Sequence, residues 1–315
     1  MGLEVINAGL QTTLQGSPRN GFRHKGVPAS GPADGLSHAL ANRLVGNALD
    51  AVALEITLFG ASFRFTTDCH IALTGGEAEV HINGLVQQRH RTLIVRSGDS
   101  LKLGPILKGV RVYLAVAGGF AADPWLGSAS TYLPAGLGGF GGRALKAKDT
   151  LTIGATSGTT EMLSTPVELN SNFGSSWVLR ASAGPEADLL VGADRAEFFK
   201  RTFTVSNRAS RMGVALEGDS LQLSSDGRLP SAAVFPGTVQ CTSSGQSFLL
   251  LADAQTTGGY PRIAQVIRVD RHLLGQLRPG DQVRFEQTSP EEAAAITKQK
   301  TERLRAWLGG TFYFF

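Results

Sequence analysis

A short turn-and-strand motif recurs along the chain and constrains its fold more than any other feature. Each copy places Gly-Asp, or Lys-Asp in one case, before a run of alternating apolar residues. Gly-Asp tolerates the positive φ of a tight turn, and period-two alternation is typical of a strand with one buried face. The motif therefore predicts a fold dominated by β-strands. The copies are SGDSLKLG (97–104), KAKDTLTIG (146–154), EGDSLQL (217–223) and RPGDQVRF (278–285).

The four copies fall into two pairs, which predicts two related halves. Between the members of each pair lies an apolar strand that runs into glycines, VYLAVAGGF (112–120) in one and FLLLADAQTTGGY (248–260) in the other. The polar stretch 155–175 has the composition of a linker. Chance recurrence of turn–strand units in a β protein is the alternative. We predict a mainly β chain with a first β-barrel-like half over 1–160, a second over 161–288, and a C-terminal helix and tail over 289–315.

A few helices interrupt the strands. The C-terminal one begins at Ser289, where Pro290 in the first turn and Glu292 complete a capping box, and it is predicted to end at Gly309. A second is predicted over 34–47, behind the capping-type Asp34, and a short third over 194–201. The apolar tail TFYFF is expected to pack on a neighbouring element or subunit.

Composition excludes several classes of protein. The 39 glycines among 315 residues show no Gly-x-y period, so they add turns rather than a collagen-like helix. The net charge is +4, but the basic residues are scattered, which argues against a nucleic-acid binder. The histidines lack metal-ligand spacing, and no HExxH motif occurs, so we predict no metal site.

The cysteines and the apolar runs indicate the cellular compartment of the protein. Cys69 and Cys241 are far apart in unlike contexts, which predicts no disulfide framework and fits a reducing compartment. The N-terminus lacks the pattern of a signal peptide, and no apolar run approaches the ~18 residues of a membrane span. We therefore predict a cytoplasmic protein without a membrane partner.

The most informative candidate site lies at the end of the apolar strand in the second half. LADAQTTGGYPRIA (251–264) gathers polar side chains there, and its Gly258-Gly259 pair lets the backbone approach a ligand closely. A hydrogen-bonded turn, in which Asp253 and the threonines satisfy local amides, is the alternative. The polar side chains are those of Asp253, Gln255, Thr256, Thr257 and Tyr260.

Three other segments are weaker candidates. The loop GFRHKGVPASGPADG (21–35) could present polar groups at a helix N-terminus, although an N-cap is the simpler role for Asp34. GLGGFGGR (136–143) is neither a Walker A loop nor a GxGxxG fingerprint, and we interpret it as a mobile lid or connector with Arg143 as an anion contact. In SRMG, Arg211 offers a bidentate fork for an anion or for a structural salt bridge.

One carboxylate stands within an apolar strand. Glu55, in ALEITL, either pairs with a buried arginine or belongs to a site.

Several strings, taken in order, resemble the biotin-dependent carboxyltransferase-like family, also called allophanate hydrolase subunit 2. The likeness covers about residues 3–305. It implies two cyclophilin-like β-barrels, in agreement with the two predicted halves. The strings are TTLQGSPRNGFRHKGVPASGPADGLSHALANRLVGN, ALEITLFG, AVAGGF, LGSASTYLPAGLGGFGGRAL, SRMG and LADAQTTGGYPRIAQVI.

The resemblance also implies a function within a complex. Members of this family include the C subunit of an ATP-dependent 5-oxoprolinase, an enzyme that opens 5-oxo-L-proline to L-glutamate. That subunit works with a subunit-1-type, kinase-inhibitor-like protein and a lactam-utilisation-type subunit. Without a biotin carboxylase domain, a carrier domain or a biotin attachment lysine, this chain fits that lactam hydrolase best, active only in complex. The alternatives are a urea or amide carboxyltransferase component of a biotin-dependent system and a non-catalytic regulatory partner of the kinase-inhibitor-like subunit. Because no nucleotide loop is present, the ATP site is expected on, or shared with, a partner.

The same resemblance assigns roles to residues. Asp253 would orient the lactam N–H or a donor, Thr256 and Thr257 would bind anionic oxygens, and Tyr260 would close the pocket. Ser210 stands where the family has Asn before Arg-Met-Gly, and CTSSGQSF (241–248) replaces a proline-rich run. Because of these departures, the resemblance does not specify the identity of the substrate. The expected substrate-binding residues are Arg211, Ser210, Gln255, Gly258, Gly259, Asp34, Gly31 and Arg143.

Overall fold

The computed structural model describes residues 2–156 and 161–309, and these group into two compact units. Among the described residues, the first unit holds those up to Arg19, those from Ser30 to Phe173 and those from Leu304 onward. The second unit holds Asn20–Ala29 and Gly174–Arg303. The domain boundaries at 160 and 288 stay a prediction.

Among its described residues, the first unit contains two sheets and the helix α1 (Gly35–Leu44), besides short 3₁₀ helices and the end of the C-terminal helix. Many of its strands alternate buried and more exposed side chains or are mostly buried. The strands are β1 (Leu3–Asn7), β2 (Gln11–Gln15), β3 (Ala53–Thr57), β4 (Ser62–Phe65), β5 (Cys69–Glu77), β6 (Val80–Ile82), β7 (Leu85–Gln87), β8 (Leu93–Val95), β9 (Ser100–Leu103), β10 (Lys108–Val116) and β11 (Thr150–Leu151).

One sheet has the order β11-β1-β4-β9-β6-β7 and the other β2-β3-β10-β5-β8. A shared apolar core takes side chains from both sheets, including Phe63, Leu73 and Leu114. The helix α1 packs on β5 and β10 through small residues such as Ala41 and Ala115. Alanines at such a contact let a helix approach a sheet closely, because they have little side chain to accommodate.

The second unit is a closed seven-stranded barrel in the order β12-β19-β16-β17-β14-β13-β20. Strands β20 and β12 pair in parallel, and the other neighbours pair antiparallel. Closure leaves the barrel without an open strand edge. The barrel strands are β12 (Ser176–Ala183), β13 (Thr202–Ala209), β14 (Gly213–Glu217), β16 (Thr238–Cys241), β17 (Ser247–Leu250), β19 (Arg262–Val266) and β20 (Gln282–Gln287). The short strands β15 (Ala232–Ala233) and β18 (Thr257–Gly258) form a separate two-stranded sheet.

Helices are few, and the predicted mainly β fold with a C-terminal helix is confirmed. The α-helices that follow α1 are α2 (Gly192–Glu197) and α3 (Pro290–Leu308). Short 3₁₀ helices occupy Arg23–Lys25, Leu133–Ala135, Val167–Leu169, Ala187–Leu189, Phe198–Lys200 and Arg268–Gln276.

Three copies of the Gly-Asp motif form the same turn. In each, the Asp carboxylate accepts a hydrogen bond from the backbone N–H three residues earlier, and the residue before the Asp has a positive φ. Lys148, at φ 75°, takes the conformation that glycine adopts in the other two. In the copy at 217–223, residues 218–222 lie outside the strands. The matching turns are Arg96–Asp99 (2.7 Å), Lys146–Asp149 (2.7 Å) and Arg278–Asp281 (2.9 Å).

The predicted helix caps are confirmed. Asp34 Oδ1 accepts a hydrogen bond from the Ser37 N–H at 2.9 Å, and α1 starts at the next residue, Gly35. At the start of α3, Glu292 N–H donates to Ser289 Oγ at 3.2 Å, and Ser289 N–H donates to Glu292 Oε2 at 2.9 Å. The helix ends at Leu308. The tail TFYFF lies outside the described residues.

Poorly exposed histidines make stability depend on pH. Burial lowers the pKa of His38, His90 and His272, and the charge of Arg89 helps to bring the pKa of His90 to about 4. The unfolded chain, with histidine pKa values of about 6.5, therefore takes up protons first as the pH falls. The stability that these neutral rings contribute is present above pH ~6.5 and is lost below it.

We expect the free energy of unfolding to fall between pH 7 and pH 5, with about 2 kcal/mol of the loss from His90. Urea unfolding at the two pH values measures it. The matched variant is His90→Asn, because asparagine tolerates the φ of 59° at this position. An equal fall in the variant and the wild type would contradict the assignment to His90.

Candidate functional site

The predicted site segment 251–264 begins directly after β17 and runs into β19 in the second unit. Leu251 N–H donates to the Met212 carbonyl at 2.9 Å, and Asp253 N–H donates to the Arg211 carbonyl at 2.9 Å. These bonds continue the pairing of β14 with β17 beyond the ends of both strands. The SRMG and LADAQTTGGY motifs, separate in sequence, therefore lie side by side.

Arg211 and Asp253 join these two motifs through a buried ion pair. Arg211 Nε lies 2.8 Å from Asp253 Oδ2, and Nη2 lies 3.0 Å from Oδ1. The side chains are 4% and 1% exposed. Both arms of the guanidinium thus meet the carboxylate in the geometry that gives the strongest charge-assisted hydrogen bonds. The pair fixes the turn that leads to Gln255.

A chain of carboxamides continues from that turn. Gln255 Nε2 donates to Gln240 Oε1 at 3.3 Å, and Gln240 Nε2 donates to the Tyr260 carbonyl at 3.2 Å. A Cβ at position 258 would lie 2.6 Å from Gln240 Nε2, so a larger residue there would displace this amide. Gln240, on β16, is buried and held from two sides, and it orients the Gln255 amide.

A cavity of about 800 Å³ lies against these amides within the second unit. Its walls combine apolar side chains, such as Met212 and Phe248, with polar ones from the predicted segments. This size and composition are typical of a small-molecule site. The predicted site residues that line it are Ser210, Gln255 and Tyr260.

The other predicted residues of this segment are close in sequence but are not among those that line the cavity. Thr256 is buried, and its carbonyl accepts a hydrogen bond from Val234 N–H at 3.1 Å. Thr257 is exposed and pairs with Ala233 as β18 meets β15. Gly259 packs so closely that a Cβ would lie 2.8 Å from the Leu229 carbonyl oxygen. The β15–β18 pairing redirects the chain between Gln255 and Tyr260.

Asp34 and Gly31 belong to the first unit. Asp34 is fully buried as the cap of α1, and its N–H donates to Tyr113 Oη at 2.8 Å. Gly31, at φ 92°, lies against Pro18, whose Cγ a Cβ would approach to 2.9 Å. Both residues shape this loop by local packing.

Glu55 pairs with a buried arginine, which was one of its two predicted roles. Its Oε1 accepts a hydrogen bond from Arg111 Nε at 3.2 Å, and its Oε2 accepts from Tyr113 Oη and Ala33 N–H, both at 2.8 Å. Burial and the charges of Glu55 and Asp34 raise the pKa of Tyr113 well above its ordinary value. The Tyr113 hydroxyl therefore stays protonated and links Glu55 to the loop before α1.

The glycine-rich loop 136–143 forms hydrogen bonds within the chain, and its predicted role as a lid or a connector stays a prediction. Gly139 N–H donates to the Ala129 carbonyl at 3.0 Å, and Gly142 N–H donates to Gly138 at 2.8 Å. A Cβ on Gly139, whose φ is 66°, would lie 1.9 Å from Thr131 Oγ1. Because these amides are bonded within the chain, the loop does not offer them to a phosphate.

Arg143, at the end of this loop, forms a bidentate ion pair with Asp149 at 2.7 and 2.8 Å. Its guanidinium also lies 4.9 Å from the centre of the Phe140 ring. The carboxylate beside it raises the pKa of Arg143. In the structure, the predicted anion contact of Arg143 is thus a carboxylate of the chain itself.

Among the cavity residues that the sequence did not predict are Arg208, Gln240 and Phe248. Gln240 carried a weak signal, as the one carboxamide in the buried strand TVQC. Phe248 ends the CTSSGQSF segment in which the chain departs from its family, whereas Arg208 carried no signal, because it faces the cavity only once the barrel strands pair.

Within residues 2–156 and 161–309, no cluster of three or more His, Cys, Asp or Glu side chains could hold a metal ion. In the same residues, no helix combines the length and apolar character of a membrane span.

The two-unit β fold, with a cavity lined by residues of the seven-stranded barrel and its loops, is that of a carboxyltransferase-type domain. The family described as "Carboxyltransferase domain, subdomain A and B" matches residues 25–287, and the chain belongs to this family. It is 39% identical over 308 residues to the 5-oxoprolinase C subunit of Escherichia coli, a match that covers 97% of this chain and 98% of that protein. The Haemophilus influenzae protein of the same name is 33% identical over 298 residues and covers 94% of each chain.

A solved structure shares the fold. The K. lactis urea amidolyase superposes with a TM-score of 0.92 at 29% identity, covering 97% of this chain and 20% of that one. The chain therefore matches nearly the whole length of the two bacterial 5-oxoprolinase proteins and about a fifth of this urea amidolyase.

Proposed function

We propose that this chain is the C subunit of a multi-subunit, ATP-dependent 5-oxoprolinase that opens 5-oxo-L-proline to L-glutamate. The observation that carries the proposal is the 39% identity over 308 residues to a relative of that name, along nearly the full length of both chains. The chain is a component of an enzyme complex. We further propose that it is active only with a subunit-1-type, kinase-inhibitor-like protein and a lactam-utilisation-type subunit, and that it acts in the cytoplasm.

The cavity suits a cyclic amide. A five-membered lactam presents its N–H and C=O on one edge, and a carboxamide side chain offers the complementary acceptor and donor. Among the described residues, Gln255 Oε1 has no hydrogen-bond partner, while its Nε2 is engaged by Gln240. In the proposed complex, Gln255 Oε1 accepts the lactam N–H, and the hydroxyls of Ser210 and Tyr260 are available to the lactam oxygen.

The chemistry explains why fixed donors are useful. An amide carbonyl is a poor electrophile, and negative charge develops on its oxygen as the ring opens, so preorganised donors lower the barrier. ATP, when bound to the complex, supplies the phosphoryl group that activates this oxygen. In our proposal Gln255, Tyr260 and Ser210 touch the substrate, and Arg211 and Asp253 position them. The anion-binding roles of Thr256 and Thr257 stay predictions.

We assign the ATP site to a partner subunit or to a site shared with one. The glycine-rich loop supports this assignment, because its amides at Gly139 and Gly142 already donate to carbonyls of the chain. Arg143 also supports this assignment, because its guanidinium already forms an ion pair with Asp149.

The test is reconstitution of the chain with its proposed partner subunits, followed by measurement of 5-oxoproline-dependent ATP hydrolysis and glutamate release. We expect Gln255→Ala to lower kcat/KM about 10- to 100-fold, because a hydrogen bond to the substrate is worth roughly 1–3 kcal/mol. The exposed Gln222→Ala is the matched control and should keep wild-type activity. A wild-type complex that is inert towards 5-oxoproline would contradict the proposal.

The second candidate is a component of a biotin-dependent urea or amide carboxyltransferase. The TM-score of 0.92 to urea amidolyase favours it, but that match covers only 20% of the urea amidolyase chain. Turnover of urea that depends on an added biotin carrier would support this alternative. A complex that forms with the kinase-inhibitor-like partner and turns over neither substrate would indicate a regulatory binder.

A further inference from the structure

Arg208 is the one charged side chain among the described residues that line the cavity. It lies on β13, where a bulge between Val205 and Ala209 interrupts the pairing with β14. The side chain is exposed, and its guanidinium carbon lies 5.9 Å from the centre of the Phe248 ring. The cavity therefore has a positive charge on its wall and, among the described lining residues, no carboxylate to balance it.

Arg208 differs in this respect from several arginines of the same unit. Its side chain forms no ion pair or hydrogen bond with the described residues, whereas those arginines are each matched by an acid. In a protein, an arginine that faces a cavity without an acidic partner is suited to bind an anion from solution. The matched pairs are Arg180–Asp270, Arg201–Asp194, Arg211–Asp253 and Arg262–Glu186.

Strand register places this cation beside the carboxamides. Phe248 on β17 pairs directly with Gln240 on β16, and both side chains line the cavity. Side chains of directly paired residues share a face of the sheet, with Cβ atoms about 5 Å apart. The Phe248 ring thus has the Arg208 guanidinium near it and the Gln240 carboxamide on the neighbouring strand. Both groups therefore lie on the wall of one cavity.

We propose that Arg208 binds the carboxylate of the substrate and restricts the cavity to amides that carry an acid group. The inference rests on the proposed function, in which the cavity holds 5-oxoproline. That molecule carries a carboxylate on the ring carbon next to the lactam nitrogen, so an acid and a cyclic amide lie within one small ring compound. Urea and 2-pyrrolidinone are amides without a carboxylate.

The chemistry of an arginine side chain suits a carboxylate. A guanidinium presents two parallel N–H groups that match the two oxygens of a carboxylate. Contact with the Phe248 ring restrains the guanidinium and removes part of its hydration, which strengthens its attraction for an anion. Lysine supplies the charge without the fork, so Arg208→Lys should retain part of the effect.

The experiment compares 5-oxoproline with 2-pyrrolidinone in the reconstituted complex. Kd is measured for both by calorimetric titration, and KM and kcat are measured for 5-oxoproline. In Arg208→Gln we expect the Kd and KM for 5-oxoproline to rise at least tenfold, kcat to change less than threefold, and the Kd for 2-pyrrolidinone to stay within twofold. Arg208→Lys should fall between this variant and the wild type. Arg195→Gln, which removes an exposed arginine of α2 away from the cavity, should behave as the wild type.

The outcomes separate this inference from the proposed function. If the wild-type complex hydrolyses 5-oxoproline and Arg208→Gln keeps its KM, the inference is wrong and the proposed function stands. If the wild type hydrolyses nothing but prefers 5-oxoproline to 2-pyrrolidinone in titration, and Arg208→Gln loses that preference, the carboxylate site stands and the proposed function fails. A wild type that binds both compounds equally, or a variant that loses both equally, overturns the inference.

Discussion

Replacement of Asp253 by alanine should lower the free energy of unfolding by about 3–5 kcal/mol and abolish the activity of the complex. The carboxylate is 1% exposed and receives both arms of the Arg211 guanidinium, which is itself 4% exposed. Without the Asp253 carboxylate, the buried Arg211 guanidinium loses its acidic partner, and water cannot reach it as a replacement. Urea unfolding of the chain measures the loss of stability, and turnover in the reconstituted complex measures the loss of activity.

Two further variants separate stability from activity at this position. The double variant Arg211→Met/Asp253→Leu removes both charges together and should be more stable than Asp253→Ala, because apolar replacement of a buried pair is often tolerated. We expect it to stay inactive, since the turn that leads to Gln255 loses its ion pair. Thr257→Ala, in the same segment but exposed, should unfold like the wild type. An Asp253→Ala chain as stable as the wild type would contradict the importance of the pair.

Replacement of Glu55 by leucine should cost a similar amount, about 3–5 kcal/mol, in the first unit. The change removes the acid of Arg111 and the acceptor of the Tyr113 hydroxyl and the Ala33 N–H. Each of these groups is buried, so water cannot replace the lost bonds. Chemical denaturation gives the size of the effect.

Three control variants divide the expected loss of stability in Glu55→Leu between the charge and the hydrogen bonds. Glu55→Gln keeps an acceptor without the charge and should be intermediate, whereas Tyr113→Phe removes one hydroxyl and should cost about 1–3 kcal/mol. Glu4→Gln breaks the exposed pair with Arg64, at 3.7 Å, and should cost less than about 1 kcal/mol. Equal effects of Glu55→Leu and Glu4→Gln would show that the buried network contributes nothing.

Local chemistry made several elements predictable. The Gly-Asp turns depend on one positive φ and one carboxylate that reaches back three residues, so the motif at Asp99 or Asp281 contains the cause of its own structure. The caps at Asp34 and Ser289 are local in the same sense, because donor and acceptor are three residues apart. The family likewise followed from the order of strings along the chain.

The candidate site was predictable only in part. Ser210, Gln255 and Tyr260 line the cavity as expected, since each belongs to a polar turn next to an apolar strand. The sequence left open whether Arg211 binds a ligand or an acid of the chain, and the partner proved to be Asp253, 42 positions away. Likewise, Arg143 forms an ion pair with Asp149.

By itself, then, the sequence determined the strands, the turns, the helix caps and the family, because each depends on neighbours along the chain or on their order. The tertiary structure alone decided which side chains share the cavity. Arg208, Gln240 and Phe248 lie on β13, β16 and β17, and they face one cavity because the register along β13, β14, β17 and β16 fixes which positions stand opposite one another. The alternating apolar pattern of a strand opposes a shift of one residue, but the pairing of positions that are far apart in the sequence forms only when the barrel is assembled.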